Sequence, residues 1–256
     1  MKGIVDLNSD IGESFGAYVL GLDEEVIKHV TSVNIACGWH AGDPLIMEQT
    51  LREAIKNDVA VGAHPGYPDL MGFGRRNMDI SPKEARAYMI YQLGALSGFA
   101  SANKIDIQHM KLHGAFYNTA SIKPELADEI INGILDVDKD IILLALSGTY
   151  IAKRAQEKGL RVAQEVFADR AYNEDLTLVN RKLPWAVIHD KEVAIERIKM
   201  MVLEGKVKTI DGQLIDIVAD SICVHGDNPE AVNFVKAIRE SLVSEGIEVK
   251  ALKHFI

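Results

Sequence analysis

Short apolar and β-branched runs alternate with helix-length amphipathic segments from one end of the chain to the other. Eight runs read as strands, at residues 3–7, 32–36, 59–63, 107–112, 141–145, 160–166, 221–224 and 247–251. The segments between them carry helix start and stop signals. Residues 43–56 open with Asp43-Pro44 and place Leu45, Ile46, Leu51 and Ile55 near one face. Residues 81–103 open Ser81-Pro-Lys-Glu84, with the acid three positions after the serine as in a capping box. Residues 190–205 and 229–246 read the same way, and each ends on a glycine. Strand–helix alternation of this kind predicts the α/β class with a parallel sheet. A dinucleotide-binding unit would carry Gly-x-Gly-x-x-Gly after a strand, whereas Gly72-Phe-Gly74 sits in a long loop without the third glycine, and there is no Walker phosphate loop. The expected architecture is therefore a parallel (β/α) barrel, either complete or incomplete at seven strands, forming one domain over residues 1–256. A small excursion is expected near 207–216, where Asp211-Gly212 separates two β-type runs as in a hairpin.

Composition narrows the partners. The 256 residues are 48% hydrophobic and 25% charged, ordinary for a water-soluble globular chain. A net charge of -9 disfavours nucleic acid and anionic membrane surfaces, which need basic patches. No apolar run approaches the length of a membrane span, and the first ten residues turn polar too soon for a signal peptide, so a cytoplasmic protein is expected. Cys37 and Cys223 have neither metal-type spacing nor the number for a disulfide scaffold.

Polar residues collect where the predicted strands end. Asn8-Ser-Asp10-Ile-Gly-Glu13 follows the first strand, Cys37-Gly-Trp-His40 the second and His64-Pro-Gly-Tyr67 the third. Lys111-Leu-His113-Gly follows the fourth, Glu165-Val-Phe-Ala-Asp169-Arg170 the sixth and His225-Gly-Asp227-Asn228 the seventh. In a parallel barrel all these ends open on the face that carries the active site. Strand parity adds to this, because alternate side chains share a face. Asp6, Asn8 and Asp10 share one parity, as do His109, Lys111 and His113, and Glu165 and Asp169. Polar residues on one side of a buried strand are costly unless paired.

Two chemistries fit. Asp10, His64 and His113 offer a carboxylate and two imidazoles from three strand ends, a set that can bind a divalent metal with positions left for water and substrate. Without a metal, Asp10 or Glu13 can serve as general base, a histidine such as His40 as acid, and Lys111 and Arg170 as anion stabilisers. Arg75 and Arg76 read either as an anion site or as a solvated loop face, and Lys111 either as a catalytic cation or as the structural partner of Glu165. No Gly-x-Ser-x-Gly context supports a nucleophilic serine.

The stretches 6–16, 34–43, 62–69, 111–118, 165–172 and 222–229, in that order, resemble the LamB/YcsF family. The resemblance implies an incomplete β/α barrel related to glycoside hydrolases and sugar deacetylases. It also implies 5-oxoprolinase chemistry, the ATP-dependent opening of 5-oxo-L-proline to L-glutamate, carried out with two further subunits, B and C. On that basis Asp10, Glu13, His40, Lys111, Asp169 and Arg170 are expected to be catalytic. Asn8, Arg75, Arg76, Glu165, His225 and Asp227 are expected to bind substrate or nucleotide, with Mg-ATP as cofactor. A divalent ion on Asp10, His64 and His113 is borrowed from the deacetylase relatives. Trp39 and Asn228 depart from the residues usual at their positions, and residues 181–188 are less typical of the family.

Overall fold

All eight predicted strand runs form strands, and seven of them close into a ring. The computed structural model describes residues 3–224 and 229–256. The strands are β1 (Ile4–Ile11), β2 (Ser32–Ala36), β3 (Ala60–His64), β4 (His109–Met110), β5 (Ile142–Leu146), β6 (Arg161–Phe167), β7 (Lys206–Lys208), β8 (Leu214–Asp216), β9 (Ser221–Val224) and β10 (Glu248–Val249). Strands β1 to β6 are hydrogen-bonded in sequence order, β9 follows β6, and β9 pairs back onto β1, all in parallel. The eighth run, β10, stays outside the ring. It pairs with β1 only at Ile4 and Val5, whereas β9 occupies Asp6 to Ser9. The excursion is an antiparallel hairpin of β7 and β8.

The helices are α1 (Asp23–Val26), α2 (Pro44–Lys56), α3 (Pro82–Ala102), α4 (Gly114–Ile122), α5 (Pro124–Val137), α6 (Tyr150–Glu157), α7 (Lys191–Lys199) and α8 (Pro229–Ser244). Their starts follow the sequence signals. Asp43 caps α2 by accepting from the amides of Leu45 and Ile46, and Ser81 and Glu84 form the full capping box of α3. Helix α7 runs on into a π-helical turn, Met200–Glu204, and stops at Gly205, whose φ of 65° suits glycine. No helix among the described residues is long and apolar enough to cross a membrane.

Strand β1 is longer than its apolar run, which ends at Leu7, because Asn8 and Asp10 continue it on the inner parity. The inner face is identified by contacts between strands that are not neighbours. Asn8 of β1 donates to Glu165 of β6, and Asn34 of β2 bonds His109 of β4. Such pairs can meet only across the inside of the ring. The outward parity, Val5, Leu7 and Ile11, packs into the apolar layer beneath the helices. The interior thus holds ordered polar side chains where a barrel of this class more often stacks Val, Ile and Leu. At its lower end a separate apolar cluster of Ile142, Leu144 and Ala163 is covered by Leu252, Phe255 and Ile256, and the Lys253 amide donates to Gln108 Oε1 at 3.0 Å.

Asp6 lies at the bottom of this polar interior and is fully buried, its carboxyl accepting from Thr31, Ser32 and Ser221. Burial raises its pKa from 3.8 to about 6; the three hydroxyl bonds lower it and the charge of Glu165 adds to the rise. Between those two values the folded chain holds a proton that the unfolded chain has released. The stabilising contribution is therefore complete below about pH 4 and is lost as pH rises through 6, on the order of 3 kcal/mol in all. Relative to the parent, Asp6→Asn should gain stability by up to roughly that amount from pH 4 to pH 7. Urea midpoints at several pH values measure this, and a constant gap across the window would show that Asp6 does not titrate as described.

Candidate active site

The upper ends of the strands surround an open cavity of about 1260 Å³. Asp10, Glu13, His64, Arg75, Arg76, Lys111, His113 and Arg170 line it. Asn8, His40 and Glu165 are fully buried in contact with those residues. Asp169 lies on the loop just past β6, beyond the reach of strand parity, and does not line the cavity. His225 and Asp227 fall outside the described residues.

On the floor, Lys111 Nζ lies 2.8 Å from Glu165 Oε1 and 2.9 Å from Asp10 Oδ1. Cys223 Sγ at 3.2 Å and Asn8 Oδ1 at 3.4 Å complete its surroundings. Burial works against the ammonium, but the carboxylates of Asp10 and Glu165 outweigh it and hold the pKa well above the ordinary lysine range. Glu165 also accepts from the Tyr117 hydroxyl at 2.7 Å and from Asn8 at 3.1 Å. Asn34 donates to both Asn8 Oδ1 and Asp10 Oδ1 at 2.7 Å. Lys111 pairs with Glu165 and also lines the cavity. Tyr117, Asn34 and Cys223 were not among the expected site residues. Asn34 carried the signal, since Ser32 and Asn34 share a parity in β2 just as Asn8 and Asp10 do in β1. Tyr117 sits one turn into α4 and looks like a core aromatic, so nothing local marked it.

Beside this floor three histidines converge from the ends of β2, β3 and β4. His64 Nδ1 is 2.8 Å from the Lys111 carbonyl oxygen, and His113 Nε2 is 2.9 Å from the Phe73 carbonyl oxygen. The remaining nitrogens, His64 Nε2 and His113 Nδ1, face each other at 2.9 Å. His40 stacks flat on His113, with ring centroids 3.7 Å apart. Glu13 Oε1 lies 3.4 Å from His40 Nε2 and 3.7 Å from His113 Nδ1. One ligand atom from each of Glu13, His40, His64 and His113 falls within 4.8 Å of all the others, so this group could hold a metal ion. Burial pushes the pKa values of His40 and His113 well below 6.5. Of the expected set of Asp10, His64 and His113, the two histidines belong to this group. Asp10 adjoins it, with Oδ2 3.3 Å from His64 Nε2, while Lys111 and Asn34 occupy Oδ1.

Two glycines make the stack possible. A Cβ at Gly66 would stand 2.5 Å from His40 Nδ1. One at Gly74, where φ is +60°, would stand 2.7 Å from His40 Cβ and 2.8 Å from His113 Cδ2. Trp39 points away from the cluster and packs on Tyr88 and Tyr91 of α3.

The rim is cationic. Arg75 lies over the Phe73 ring at 4.8 Å, and Arg76 is paired with Asp69 and largely exposed. Arg170 is 5% exposed, donates through Nη2 to the Val179 carbonyl at 2.7 Å, and has no hydrogen-bond partner at Nε. Burial, with the nearby charge of Arg181, lowers its pKa to about 10. Arg181 and Lys182, from the loop between β6 and α7, line the same side.

The sequence profile of the LamB/YcsF family matches residues 5–256. The chain is 62% identical to the A subunit of 5-oxoprolinase from Fusobacterium nucleatum over 256 residues, covering all of both chains. It is 58% identical over 252 residues to the A subunit from Pyrococcus horikoshii, covering 98% of this chain and 99% of that one. Its structure superposes on a lactam utilization protein from Thermus thermophilus with a TM-score of 0.91 at 44% identity, over 98% of this chain and 100% of the other. With a family match across almost its whole length and relatives this similar, the chain belongs to the LamB/YcsF family.

Proposed function

We propose that this chain works as the A subunit of an ATP-dependent 5-oxoprolinase, opening 5-oxo-L-proline to L-glutamate together with the B and C subunits. The observation that carries the reading is Lys111, a buried ammonium between Asp10 and Glu165 on the floor of an arginine-rimmed cavity. The Fusobacterium and Pyrococcus relatives are named as A subunits of 5-oxoprolinase, and the Thermus neighbour is a lactam utilization protein.

Each residue then has a task set by its position. Arg75 and Arg170 face the cavity as cations for the substrate carboxylate, with Arg76 held further out by Asp69. Lys111 steadies negative charge that develops on the lactam oxygen. With the cluster free of metal, Asp10 or Glu13 takes a proton from the attacking water, and His40, buried behind Glu13, relays it toward the departing nitrogen. Asn8 and Glu165 keep the Lys111 side chain in place. An unstrained five-membered amide is a poor electrophile, and Mg-ATP would activate it by transferring its γ-phosphoryl group to the amide oxygen, with ADP and then phosphate as leaving groups. With no Walker loop in the sequence, nucleotide handling is assigned to the partner subunits. A divalent ion among the histidines would add Lewis-acid polarisation. That cluster favours a second reading, a free-standing metal-dependent amidohydrolase or deacetylase, which ATP dependence separates from the first.

Purified alone, the chain should release little glutamate from 5-oxoproline, and adding the B and C subunits with Mg-ATP should restore turnover. Asp10→Asn should abolish the restored rate while the complex still forms on a sizing column. Robust ATP-independent turnover by the lone chain would overturn the proposal in favour of the amidohydrolase.

Lys111→Met should lower kcat/KM of the reconstituted enzyme by roughly 10²-fold or more. It should also destabilise the chain by about 3–5 kcal/mol, because Asp10 and Glu165 lose their counterion. Circular dichroism at the assay temperature shows whether the variant is folded. A folded variant with a near-normal rate would make Lys111 a structural partner only.

A further inference from the structure

The protons on the histidine cluster can be located from their neighbours. A carbonyl oxygen can only accept, so the ring nitrogens facing the Lys111 and Phe73 carbonyls, His64 Nδ1 and His113 Nε2, are the ones that carry hydrogen. In the neutral rings His64 Nε2 and His113 Nδ1 are then both bare, and they face each other at 2.9 Å. Asp10 Oδ2, a third acceptor, lies 3.3 Å from His64 Nε2. Next to them His40 is fully buried with no hydrogen-bond partner at either ring nitrogen, and its Nε2 lies 3.4 Å from a carboxylate oxygen of Glu13. One ligand atom from each of Glu13, His40, His64 and His113 lies within 4.8 Å of the others, and Asp10 Oδ2 borders the group at His64.

A donated hydrogen, from a proton or a water, or a cation at the centre can relieve this convergence, and a water reaches at most two of the acceptors. The proton would bridge His64 to His113 and Asp10, yet it would leave His40 as it is. A metal ion serves all four groups at once. We infer that Glu13, His40, His64 and His113 form the binding site of a divalent first-row transition ion of the zinc type, with Asp10 beside the ligand set but outside it.

Three features fit such an ion, while the flat stack of His40 on His113 must open by a ring rotation for both to point at it. A tetrahedral zinc site with bonds near 2.0–2.1 Å places its ligand atoms about 3.3 Å apart. Three of the six separations are 2.9, 3.4 and 3.7 Å, for His64–His113, His40–Glu13 and His113–Glu13, and the others stay within 4.8 Å. His64 and His113 each give their outer N–H to a backbone carbonyl, the usual way a metal-binding imidazole is oriented. Three imidazoles and one carboxylate suit zinc, cobalt or ferrous iron better than magnesium or calcium, which prefer oxygen. The site does not depend on the 5-oxoprolinase reading.

The test uses the whole chain, freed of metal with a chelator and titrated with Zn²⁺ and with Co²⁺. About one equivalent of either ion should bind, and Co²⁺ should give the visible d–d absorption of a nitrogen-liganded site. Glu13→Gln and His40→Ala should each weaken Zn²⁺ binding by at least the roughly 10–100-fold typical of losing even an outer-shell partner. Asp10→Asn should keep the stoichiometry and the cobalt spectrum. Glu13 is partly exposed, so Glu13→Gln keeps the test decisive if His40→Ala fails to fold. Two results would overturn the inference. One is a folded parent chain that binds neither ion stoichiometrically. The other is loss of the metal in Asp10→Asn with retention in Glu13→Gln, which would move the site to an Asp10-led set.

Discussion

Lys111 reaches into the barrel until its ammonium lies 2.8 Å from Glu165 and 2.9 Å from Asp10, and the inner side chains of β1, β6 and β9 are arranged around that one charge. An isolated ammonium in a dry interior is unfavourable by several kcal/mol, so it persists only where paired and hydrogen-bonded. Its partners come from different strands, and each needs its own support. Asp10 is held by Asn34, Glu165 by Asn8 and Tyr117, and Asn8 by Asn34 and Ser221. The chain of bonds continues down to Asp6 through Ser221. Closing the ring and satisfying this charge are therefore one event. An open sheet would leave Glu165 and Asp10 on distant strands.

That dependence explains how much of the molecule could be read in advance. Strand positions and the helix starts at Asp43 and Ser81 rest on local chemistry, so periodicity and capping residues announced them. The convergence of His40, His64 and His113 was also legible, because a parallel barrel places every strand end on one face. Partnerships were not. Glu13 stands on a loop past β1, and its approach to His40 is set by the path of that loop, which no spacing encodes. Asp10 reads as an equally good ligand, and its engagement by Lys111 follows only from the ring's circumference. Arg170 illustrates the same limit. Its sequence neighbours suggested an anion contact, whereas its burial and its bond to Val179 depend on how residues 168–190 fold back.

The two ends of the barrel divide the work between them. Below, Leu252, Phe255 and Ile256 cover Ile142 and Leu144 with apolar surface, so the lower interior is sealed. Above, glycines stand where backbone must pass close to rings, and the loops carry the cations. The polar interior joins the two as a rigid stem on which the floor of the cavity is mounted. A floor built on strands is held more tightly than one built on loops, which suits the placement of Lys111 on the extension of β4 and leaves the arginines on the more adaptable rim.

The pairing of β1 with β9 has a consequence in time. About 210 residues separate the two strands, so at ribosomal speeds of roughly 5–20 residues per second β1 is made some 10–40 s before the neighbour that completes it. During that wait one edge of β1 is exposed, and an exposed apolar strand edge invites pairing with other nascent chains. Asp6, Asn8 and Asp10 on its inner parity make β1 a poor template for such pairing, as charged and polar residues within hydrophobic strands generally do. The same three side chains that anchor the finished interior thus protect the growing polypeptide from aggregation before that interior exists.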